Sequence, residues 1–472
     1  MNLQQKLALA LTAFSLILGL LLGSLSLSQF GYRAETLAYD NWFSLRYSLF
    51  GPRPFDSRLV LVGIDEPTIQ YIGKPMLLWQ ADMARLIETI KSADPAVVAL
   101  DTISSPSLKG LPETDPLRHR LSEEAFQLGM TALEPPPVLF IEVFADGFIN
   151  DDEEQTDPVV PPHEVIVDLM TDENGNTPAL TIANIAGDTD GVSRRGKLFT
   201  RVQRSDNKER PVNLAFRMLE EGTGQAIDFR RSADGAPEMS WNGIKVPFLL
   251  QESFLLNYPG PTEENTREGH DPSRSVTFPI VSAKQVLDGT FEPGYFKDKF
   301  VIVAPTASSL FDEKVVPGDF NYHGAATHLT AVNMFLMNQF ISLHTWAWIA
   351  FAVVAAVSGS LIGRQGRIGV GTLSLMAIPV LSFVALSFFN TWLSCIFPAI
   401  ALVATGVAGY MVRLLTVERD RARVRSTFAR MVSPQVMNHV LTNYRSLRNG
   451  QRKELTVLFS DINDFTPICE KH

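Results

Sequence analysis

Cysteine is almost absent from this sequence: its 472 residues contain only Cys395 and Cys469. The long polar middle of the chain, residues 31–340, contains none. Small exported domains that lack a sufficient core are usually held together by several disulfides. That class of protein is excluded here, so the middle of the chain must fold on a hydrophobic core of its own.

Charge is absent from four long stretches, each of which is apolar and long enough to cross a bilayer as a helix. They predict transmembrane helices at Leu7–Phe30, Ile341–Gly363, Ile368–Phe389 and Trp392–Val412. The last three are separated by very short loops, which disfavours buried helices of a soluble core. For the first, a cleaved signal peptide is the alternative, because Ser24 and Ser26 offer small residues at cleavage-like spacing. The length of the apolar run favours an uncleaved anchor.

The charged residues are distributed unevenly. Residues 31–340 contain 27 Lys and Arg against 45 Asp and Glu, whereas the rest of the chain contains 14 against 6. The acidic segment argues against nucleic acid as a partner. Basic residues of short loops stay on the cytoplasmic side of a membrane, and here they occur at Arg364, Arg367 and Arg413. We therefore expect both termini, residues 1–6 included, in the cytoplasm and residues 31–340 outside it.

Residues 31–340 alternate between strand-like and helix-like patterns. Continuous apolar runs predict strands at Leu59–Ile64, Ala96–Leu100, Val138–Phe144 and Phe300–Ala304. Helical spacing predicts helices at Met83–Ile90 and near Ala325–Leu336. This alternation predicts an α/β domain with a mainly parallel sheet flanked by helices. Between Ile182 and Leu256, short runs and Gly or Asn turns predict antiparallel strands instead.

Four polar residues follow the predicted strands and form a candidate sensor pocket: Asp65, Glu66, Asp101 and Thr306. Ligands of parallel sheets bind beyond the carboxyl ends of the strands, which is where these side chains would lie. The favoured alternative is that Asp65 and Asp101 cap the helices that follow them. Asp188 and Asp190 lack the full calcium-loop pattern. A tight turn held by side-chain hydrogen bonds is predicted there.

Six motifs of this segment resemble the CHASE domain of the second type, an extracytoplasmic sensor module of bacterial receptors. They are LVLVGID at 59–65, AVVALD at 96–101, GDTDGVSRR at 187–195, FLLNYPGP at 254–261, FPIVSAKQVLDG at 278–289 and KFVIVAPTASSLFDEKVVP at 299–317. The chain departs from the family at GAATHLT, residues 324–330, where only His328 is kept of an expected His-Ala-Asn run. The resemblance implies a receptor of the bacterial inner membrane that responds to an unknown extracytoplasmic ligand.

The basic segment 413–453 is predicted to be a cytoplasmic helical transducer. Five of its residues fit the a and d positions of heptads, with Arg421 as a polar exception: Leu414, Val417, Val424, Phe428 and Met431. This favours a modest parallel coiled coil, and the alternative is an amphipathic helix that packs on its own domain. Ser433 and Pro434 then start a further helix, because serine caps helices and proline suits the first turn.

The stretch ELTVLFSDINDFT, residues 454–466, predicts a short strand over Leu455–Phe459 that ends on a carboxylate. Carboxylate oxygens are the ligands that Mg²⁺ prefers. Together with FARMVSPQVMNHVL, residues 428–441, this stretch resembles the entry to a class III nucleotide cyclase domain, which has a ferredoxin-like α+β fold. The alternative role for Asp461 is a helix cap.

The cyclase resemblance implies a site around Asp461. In that family the carboxylate at this position binds two divalent cations, Mg²⁺ or Mn²⁺, and the backbone carbonyl of the next residue, here Ile462, is a further ligand. Asp464, Phe465 and Thr466 would lie near the substrate phosphates, although the family often has Gly at the position of Asp464. The substrate would be ATP or GTP. Because class III sites form between two chains, the resemblance also implies a homodimer.

The sequence therefore predicts a receptor-type nucleotide cyclase with a sensor domain, four transmembrane helices, a transducer and the first strand of a cyclase domain, residues 454–472. The remaining catalytic residues would follow His472, so the catalytic set is incomplete and this chain is expected to be inactive by itself. A non-enzymatic or degenerate sensor that signals by protein contact is the alternative. A sensor histidine kinase is disfavoured, because His439 lacks a Glu/Asp-Leu-Arg-Thr-Pro-like context.

Overall fold

The computed structural model describes most of the chain up to residue 431 and a short segment near its end. The described residues are 3–102, 112–136, 138–144, 159–185, 187–198, 200–202, 209–211, 213–233, 235–248, 253–261, 278–292, 294–310, 312–431, 454 and 456–460. Within them the helices are α1 (Leu3–Ser26), α2 (Gln29–Phe50), α3 (Glu66–Ile72), α4 (Gln80–Lys91), α5 (Pro116–Leu133), α6 (Glu164–Met170), α7 (Leu214–Thr223), α8 (Ala283–Leu287), α9 (Gly324–Leu336), α10 (Thr345–Gln365), α11 (Ile368–Phe389) and α12 (Ile396–Met431).

The strands of the same residues are β1 (Leu59–Ile64), β2 (Val97–Leu100), β3 (Val138–Phe144), β4 (Val159–Val160), β5 (Leu180–Ile182), β6 (Arg195–Lys197), β7 (Thr200–Val202), β8 (Glu209–Pro211), β9 (Asp228–Arg231), β10 (Pro237–Trp241), β11 (Ile244–Lys245), β12 (Ser253–Leu255), β13 (Ile280–Ser282), β14 (Phe300–Pro305), β15 (Glu313–Val316), β16 (Asp319–His323), β17 (Ser342–Leu343) and β18 (Thr391–Trp392). Short 3₁₀ turns occur at Met76–Leu78 and Ser308–Leu310.

A seven-stranded sheet organises the polar domain. Its strand order is β13–β1–β14–β2–β3–β4, with β5 also paired to β3, and every pairing except β3–β4 is parallel. β1 and β14 stay in register over six residues, from Leu59 opposite Phe300 to Ile64 opposite Pro305. Both strands are covered on both faces, which is why they are unbroken apolar runs in the sequence. The predicted parallel sheet is confirmed.

Helices cover the two faces of this sheet. On one face α4 and α5 pack through a cluster that includes Ile87 and Leu128. On the other face α7 and α9 pack through a cluster that includes Leu219 and Leu329. α9 is buried along nearly its whole length, so it is the central helix of its layer.

The middle of the domain is antiparallel, as predicted. β9, β10 and β11 form a three-stranded meander, while β6 pairs with β12 and β7 with β8. The β6–β12 ribbon packs against the α7 and α9 layer through Phe254. The ring of Phe254 lies over Gly196, where an added Cβ would come within 2.5 Å of the ring. Glycine is therefore required at this position for the ring to pack.

In the part of the chain that the structure describes, four helical segments are long and apolar enough to span a membrane: Gln5–Ser26, Thr345–Gln365, Ile368–Phe389 and Ile396–Val424. All four predicted stretches are thus helical, and the third has the predicted bounds. The second and fourth begin later in the chain than predicted, because β17 and β18 pair as a short parallel ribbon just before those helices begin.

The first helix also differs from its prediction. α1 ends at Ser26, before the predicted end at Phe30. Ser28 then caps a separate helix, α2, by accepting a hydrogen bond from the Gly31 amide at 3.1 Å. α2 continues to Phe50, and it was not predicted.

Glycines set the close approach of the hydrophobic helices. A Cβ at Gly363 of α10 would lie 2.1 Å from the carbonyl oxygen of Gly406 in α12. Gly19 and Gly23 of α1 face α10 in the same way, with backbone Cα atoms at 2.7 Å from the added Cβ. In lipid, where hydrophobic burial contributes little, helices associate by such close backbone packing. α1, α10 and α12 therefore form a tight bundle, and α11 contacts α10 and α12 at its side.

α12 continues without a break from Ile396 to Met431. The fourth predicted span and the start of the predicted transducer are therefore one helix. Leu414, Val417 and Val424 of the predicted heptad seam are 42, 37 and 58% exposed. These three residues of the seam are therefore not buried within a single chain.

The predicted strand over Leu455–Phe459 is not formed in the part of it that the structure describes. Residues 456–460 have no regular secondary structure, and Val457, Leu458 and Phe459 are largely exposed. A strand needs a neighbour to satisfy its backbone and to cover its apolar side chains. No described strand pairs with this segment. The predicted helix from Ser433 lies outside the described residues.

Replacing Gly363 by Leu should separate α10 from α12, because the new side chain would have to displace backbone atoms of Gly406 and Tyr410. Overpacking of this kind costs about 1–3 kcal/mol. Gly369→Leu is the matched control, since nothing lies within 4 Å of a Cβ at Gly369. The free energy of unfolding of both variants can be measured by titration with SDS in mixed micelles. Equal stability of the two would contradict the close packing.

Candidate functional site

The predicted sensor residues follow three adjacent strands at one edge of the sheet. β14 lies between β1 and β2, so Asp65, Thr306 and Asp101 all come to the carboxyl edge. The strand ends are tied together there: the Thr306 amide donates to the Ile64 carbonyl at 3.0 Å, and the Asp101 amide donates to the Val303 carbonyl at 2.9 Å. The predicted edge is therefore formed.

Asp65 has a structural role at this edge. Its Oδ1 accepts hydrogen bonds from the Thr68 amide at 3.0 Å and from the Ser282 hydroxyl at 3.0 Å. The first bond caps α3, and the second joins α3 to the end of β13. The helix-cap alternative for Asp65 is confirmed.

Glu66 and Thr306 are also engaged in local contacts. Glu66 Oε1 accepts a hydrogen bond from the Ser309 amide at 3.3 Å. The side chain of Thr306 lies against Gly63, where an added Cβ would stand 2.4 Å from Thr306 Oγ1. Both residues therefore help to hold the loop after β14 on the end of β1.

Asp101 differs from the other three, because the charge of a second acid, Asp312, acts on its carboxyl group. Lys314 Nζ contacts Asp312 Oδ1 at 3.4 Å. Burial, followed by the charge of Asp312, raises the pKa of Asp101 to about 8. Burial also raises the pKa of Asp312, against the opposing effect of Lys314. Two neighbouring carboxyl groups that resist ionisation thus lie at the sheet edge.

Arg194 joins the GDTDGVSRR turn to α2. Its guanidinium is buried and donates to both oxygens of Asp40 on α2, at 2.8 and 2.6 Å. It also donates to Asp188 at 2.8 Å and to Asp190 at 2.7 Å. Gly191, with φ of +83°, allows the tight turn that brings these two aspartates together. The predicted turn is confirmed, and its carboxylates hold an arginine.

Arg46 makes the second attachment of α2 to the sheet domain. It is buried, and it donates to Asn257 Oδ1 at 3.0 Å and to the Tyr258 carbonyl at 2.7 Å. Asn257 in turn donates to Asn390 Oδ1 at 3.1 Å. Asn390 lies in the loop between α11 and α12, so the FLLNYPGP motif, α2 and this loop share one hydrogen-bond network.

Glu35 attaches α2 to the start of α12. Its carboxylate is fully buried and accepts hydrogen bonds from the Ser394 hydroxyl at 2.6 Å and from the amides of Cys395 at 2.7 Å and Ile396 at 3.0 Å. The Phe397 amide adds a bond at 3.2 Å. The first amides of a helix have no partner within the helix and carry partial positive charge, so a carboxylate there stabilises the helix start. We call this set of contacts the Glu35 clasp.

Aromatic rings surround the Glu35 clasp. Trp392, which precedes α12, is fully buried and packs against Tyr32 and Tyr39 of α2, with ring centroids 5.2 and 4.5 Å apart. Trp348 of α10 packs on the same ring and donates to the Trp392 carbonyl at 2.7 Å. α2, α10 and the start of α12 are therefore fixed to one another.

The sequence contained one signal for this arrangement that our prediction missed. Glu35, Tyr39, Phe43 and Arg46 recur at helical spacing, and all four are buried. Two charged residues on the apolar face of a helix indicate buried polar partners. The partners themselves are more than 200 residues distant along the chain, so local pattern could not identify them.

The CHASE2 domain family model matches residues 11–362, which is most of the chain. The chain belongs to the CHASE2 domain family. CHASE2 domains are sensor domains of receptor proteins, and the predicted resemblance is confirmed to that extent. Neither a curated protein nor a solved structure matches the chain.

The matched region of the CHASE2 domain begins within α1 and ends within α10. It therefore includes the whole segment 31–340 that was predicted to be the sensor, with Glu35, Asp40 and Arg46 of α2, and it extends beyond that segment into α1 and α10. The predicted metal and phosphate residues Asp461, Ile462, Asp464, Phe465 and Thr466 lie outside the described residues.

Replacing Asp101 by Asn should remove a pH dependence of stability. An unfolded aspartate has a pKa of about 3.9. Between that pH and about 8, the folded CHASE2 domain keeps the Asp101 proton, whereas the unfolded chain has released it. The stability from this proton is present at low pH and is lost as pH rises toward 8.

Thermal unfolding between about pH 6.5 and 8 measures this effect. Burial lowers the pKa of His328 to about 4, so this ring takes up a proton on unfolding at the lower end of the range, but that contribution is the same in both proteins and cancels in their comparison. The Tm of the wild-type protein should fall over this range, and that of Asp101→Asn should fall less. Identical pH profiles would contradict the enclosed Asp101–Asp312 pair.

Proposed function

We propose that this CHASE2 protein is a membrane receptor that transmits a signal from its sheet domain to the far end of α12. The observation that supports this most strongly is the unbroken path through α2. Arg194 and Arg46 fix α2 to the sheet domain, and the Glu35 clasp fixes α2 to the start of α12. Since α12 has no break before Met431, a displacement of its first turn would move the whole helix.

The distribution of basic residues supports an orientation with both termini in the cytoplasm. Arg364 lies in the last turn of α10 and Arg367 directly before α11. The Arg413 guanidinium occupies the space beside Gly366, which lies between them. These arginines gather at the end of the bundle opposite the sheet domain. Because positive residues remain on the cytoplasmic side, the sheet domain would lie outside, on the outer face of a bacterial inner membrane.

A homodimer is supported by the exposed seam of α12. Leu414, Val417 and Val424 are partly exposed in one chain, and they recur at the spacing of a coiled-coil seam. A second copy of α12 would bury them. Two receptors associated along α12 would bring their C-terminal segments together.

For the output we propose a class III nucleotide cyclase that converts ATP or GTP to a cyclic nucleotide and pyrophosphate. The proposal is supported by the FARMVSPQVMNHVL motif, which begins in the last turn of α12, and by the ELTVLFSDINDFT motif that follows it in the sequence. Asp461 and the Ile462 carbonyl would supply oxygen ligands suited to Mg²⁺ or Mn²⁺. When bound, such cations neutralise phosphate charge and favour attack by the ribose 3′-hydroxyl. Asp464, Phe465 and Thr466 would lie near the phosphates.

The alternative output is contact with another protein, without catalysis. It is favoured by the largely exposed apolar side chains of Val457, Leu458 and Phe459, since an exposed apolar run is a surface for association. A partner domain that added a strand there would cover them.

Cyclic AMP and cyclic GMP formation by the complete gene product in membranes, with Mg²⁺ or Mn²⁺, distinguishes these outputs. We expect activity that Asp461→Ala abolishes and that Glu292→Ala, which removes an exposed carboxylate of the sheet domain, leaves unchanged. Undiminished activity of Asp461→Ala would overturn the metal-ligand assignment. Absence of activity in the wild-type protein would overturn the cyclase and leave the protein-contact output.

A further inference from the structure

The side of α2 that faces away from the Glu35 clasp carries exposed apolar residues. Phe30, Leu37 and Leu45 are 70, 67 and 39% exposed. They recur at intervals of seven and eight residues, which places them on one side of the helix. The buried residues of α2, Glu35 and Arg46 among them, lie on the opposite side. A helix that is apolar on two opposite sides needs apolar surroundings on both.

The exposed side of α2 has little charge. The two acids of the helix, Glu35 and Asp40, are held by partners in the protein, and so is Arg46. Arg33, near the start of the helix, is the one charged residue of α2 that is exposed. An arginine stem can lie along an apolar surface while its charged head stays in a polar layer. This side of α2 therefore suits a boundary between an apolar and a polar medium.

Two polar side chains of the exposed side are hydrogen-bonded to the backbone of α2 itself. Asn41 Nδ2 donates to the Leu37 carbonyl at 2.6 Å, and Ser48 Oγ donates to the Ser44 carbonyl at 2.9 Å. Within lipid no water is present to satisfy polar groups, so these must find partners in the protein. The two bonds lower the cost of placing this side of α2 against lipid.

α2 contacts the membrane-spanning part of α11, well inside the end of that helix. Trp42 Nε1 donates to the Ser382 hydroxyl at 3.2 Å, and the Trp42 ring packs on Phe383 with centroids 5.7 Å apart. α11 ends at Phe389, and seven residues at 1.5 Å each place Ser382 about 10 Å before that end. α2 therefore lies at the depth of the outer part of α11.

One exposed apolar surface continues from α2 to α11. Phe50, the last residue of α2, packs edge to face on Phe388 of α11 with ring centroids 5.4 Å apart. The two residues are 56 and 61% exposed, and the neighbouring Leu49 and Phe389 are 59 and 72% exposed. Since the exposed surface of a membrane-spanning helix faces lipid, the part of α2 that continues this surface faces the same lipid.

We propose that α2 lies in the interfacial layer of the bilayer beneath the sheet domain, and that its exposed side binds the lipid surface. Helices of this kind lie in the plane of the interface, with their apolar side about 5–10 Å into the boundary between headgroups and acyl chains. Leu37 and its apolar neighbours contact acyl chains, and Arg33 reaches the lipid phosphates. This inference rests on the membrane-spanning part of the proposed receptor. It adds lipid as a partner of the helix that holds the start of α12.

A nitroxide label at position 37 tests this placement in nanodiscs. Leu37→Cys is made in the full chain together with Cys395→Ala and Cys469→Ala, and the Glu35 clasp keeps the backbone amide of residue 395. The collision rates of the label with oxygen, which concentrates in lipid, and with a neutral nickel chelate, which concentrates in water, are then measured. We expect the oxygen-to-nickel ratio to be several-fold higher at position 37 than for Glu88→Cys, at an exposed residue of α4.

Two results at position 37 would overturn the proposal. A low oxygen-to-nickel ratio, equal to that at position 88, would place this side of α2 in water. Low collision rates with both reagents would place it against protein, and magnetic coupling between the labels of two chains would then identify a second copy of this chain as the occupant.

Met376→Cys, at an exposed residue within α11, is the matched control for membrane insertion. A high ratio at position 376 with a low ratio at position 37 would overturn the placement of α2 alone and leave the proposed receptor intact. A low ratio at position 376 would overturn the membrane-spanning helices and the placement of α2 together. Because no measurement here uses cyclic nucleotide formation, an inactive cyclase would leave this inference unaffected.

Discussion

The buried carboxylate of Glu35 at the start of α12 is the interaction on which the arrangement of this protein depends. A buried carboxylate is costly unless hydrogen-bond donors surround it, and here three backbone amides and the Ser394 hydroxyl do so. The same amides would otherwise be unpaired at a helix start. Each side of the contact thus satisfies the other, and the position of α2 determines the position of the first turn of α12.

The sheet domain is held to this contact by two arginines of different chemistry. Arg194 is compensated by three aspartates, so its contact with α2 is an ionic one. Arg46 binds an amide and a backbone carbonyl instead, so its contact depends on geometry and little on charge. Together they provide one attachment that responds to charge and one that keeps the helix in place.

Much of the fold was predictable, because its signals are local. Unbroken apolar runs predicted β1 and β14, and uncharged stretches predicted the four hydrophobic helices. The cap at Asp65 was predicted because a carboxylate precedes a helix. The Glu35 clasp was not predictable, since the residues that donate to Glu35 are 359 to 362 positions away along the chain. The residues of the proposed cyclase site rest on their sequence pattern alone.

Hydrogen exchange at the amides of Cys395, Ile396 and Phe397 tests most directly whether α2 couples the sheet domain to α12. In Asp40→Asn the ionic contact of α2 with Arg194 is weakened, while Glu35 and its donors are unaltered. We expect faster exchange of these three amides in Asp40→Asn. Little change is expected in Asp190→Asn, which removes an exposed partner of Arg194 that does not lie on α2. Unchanged exchange in Asp40→Asn would contradict coupling through α2.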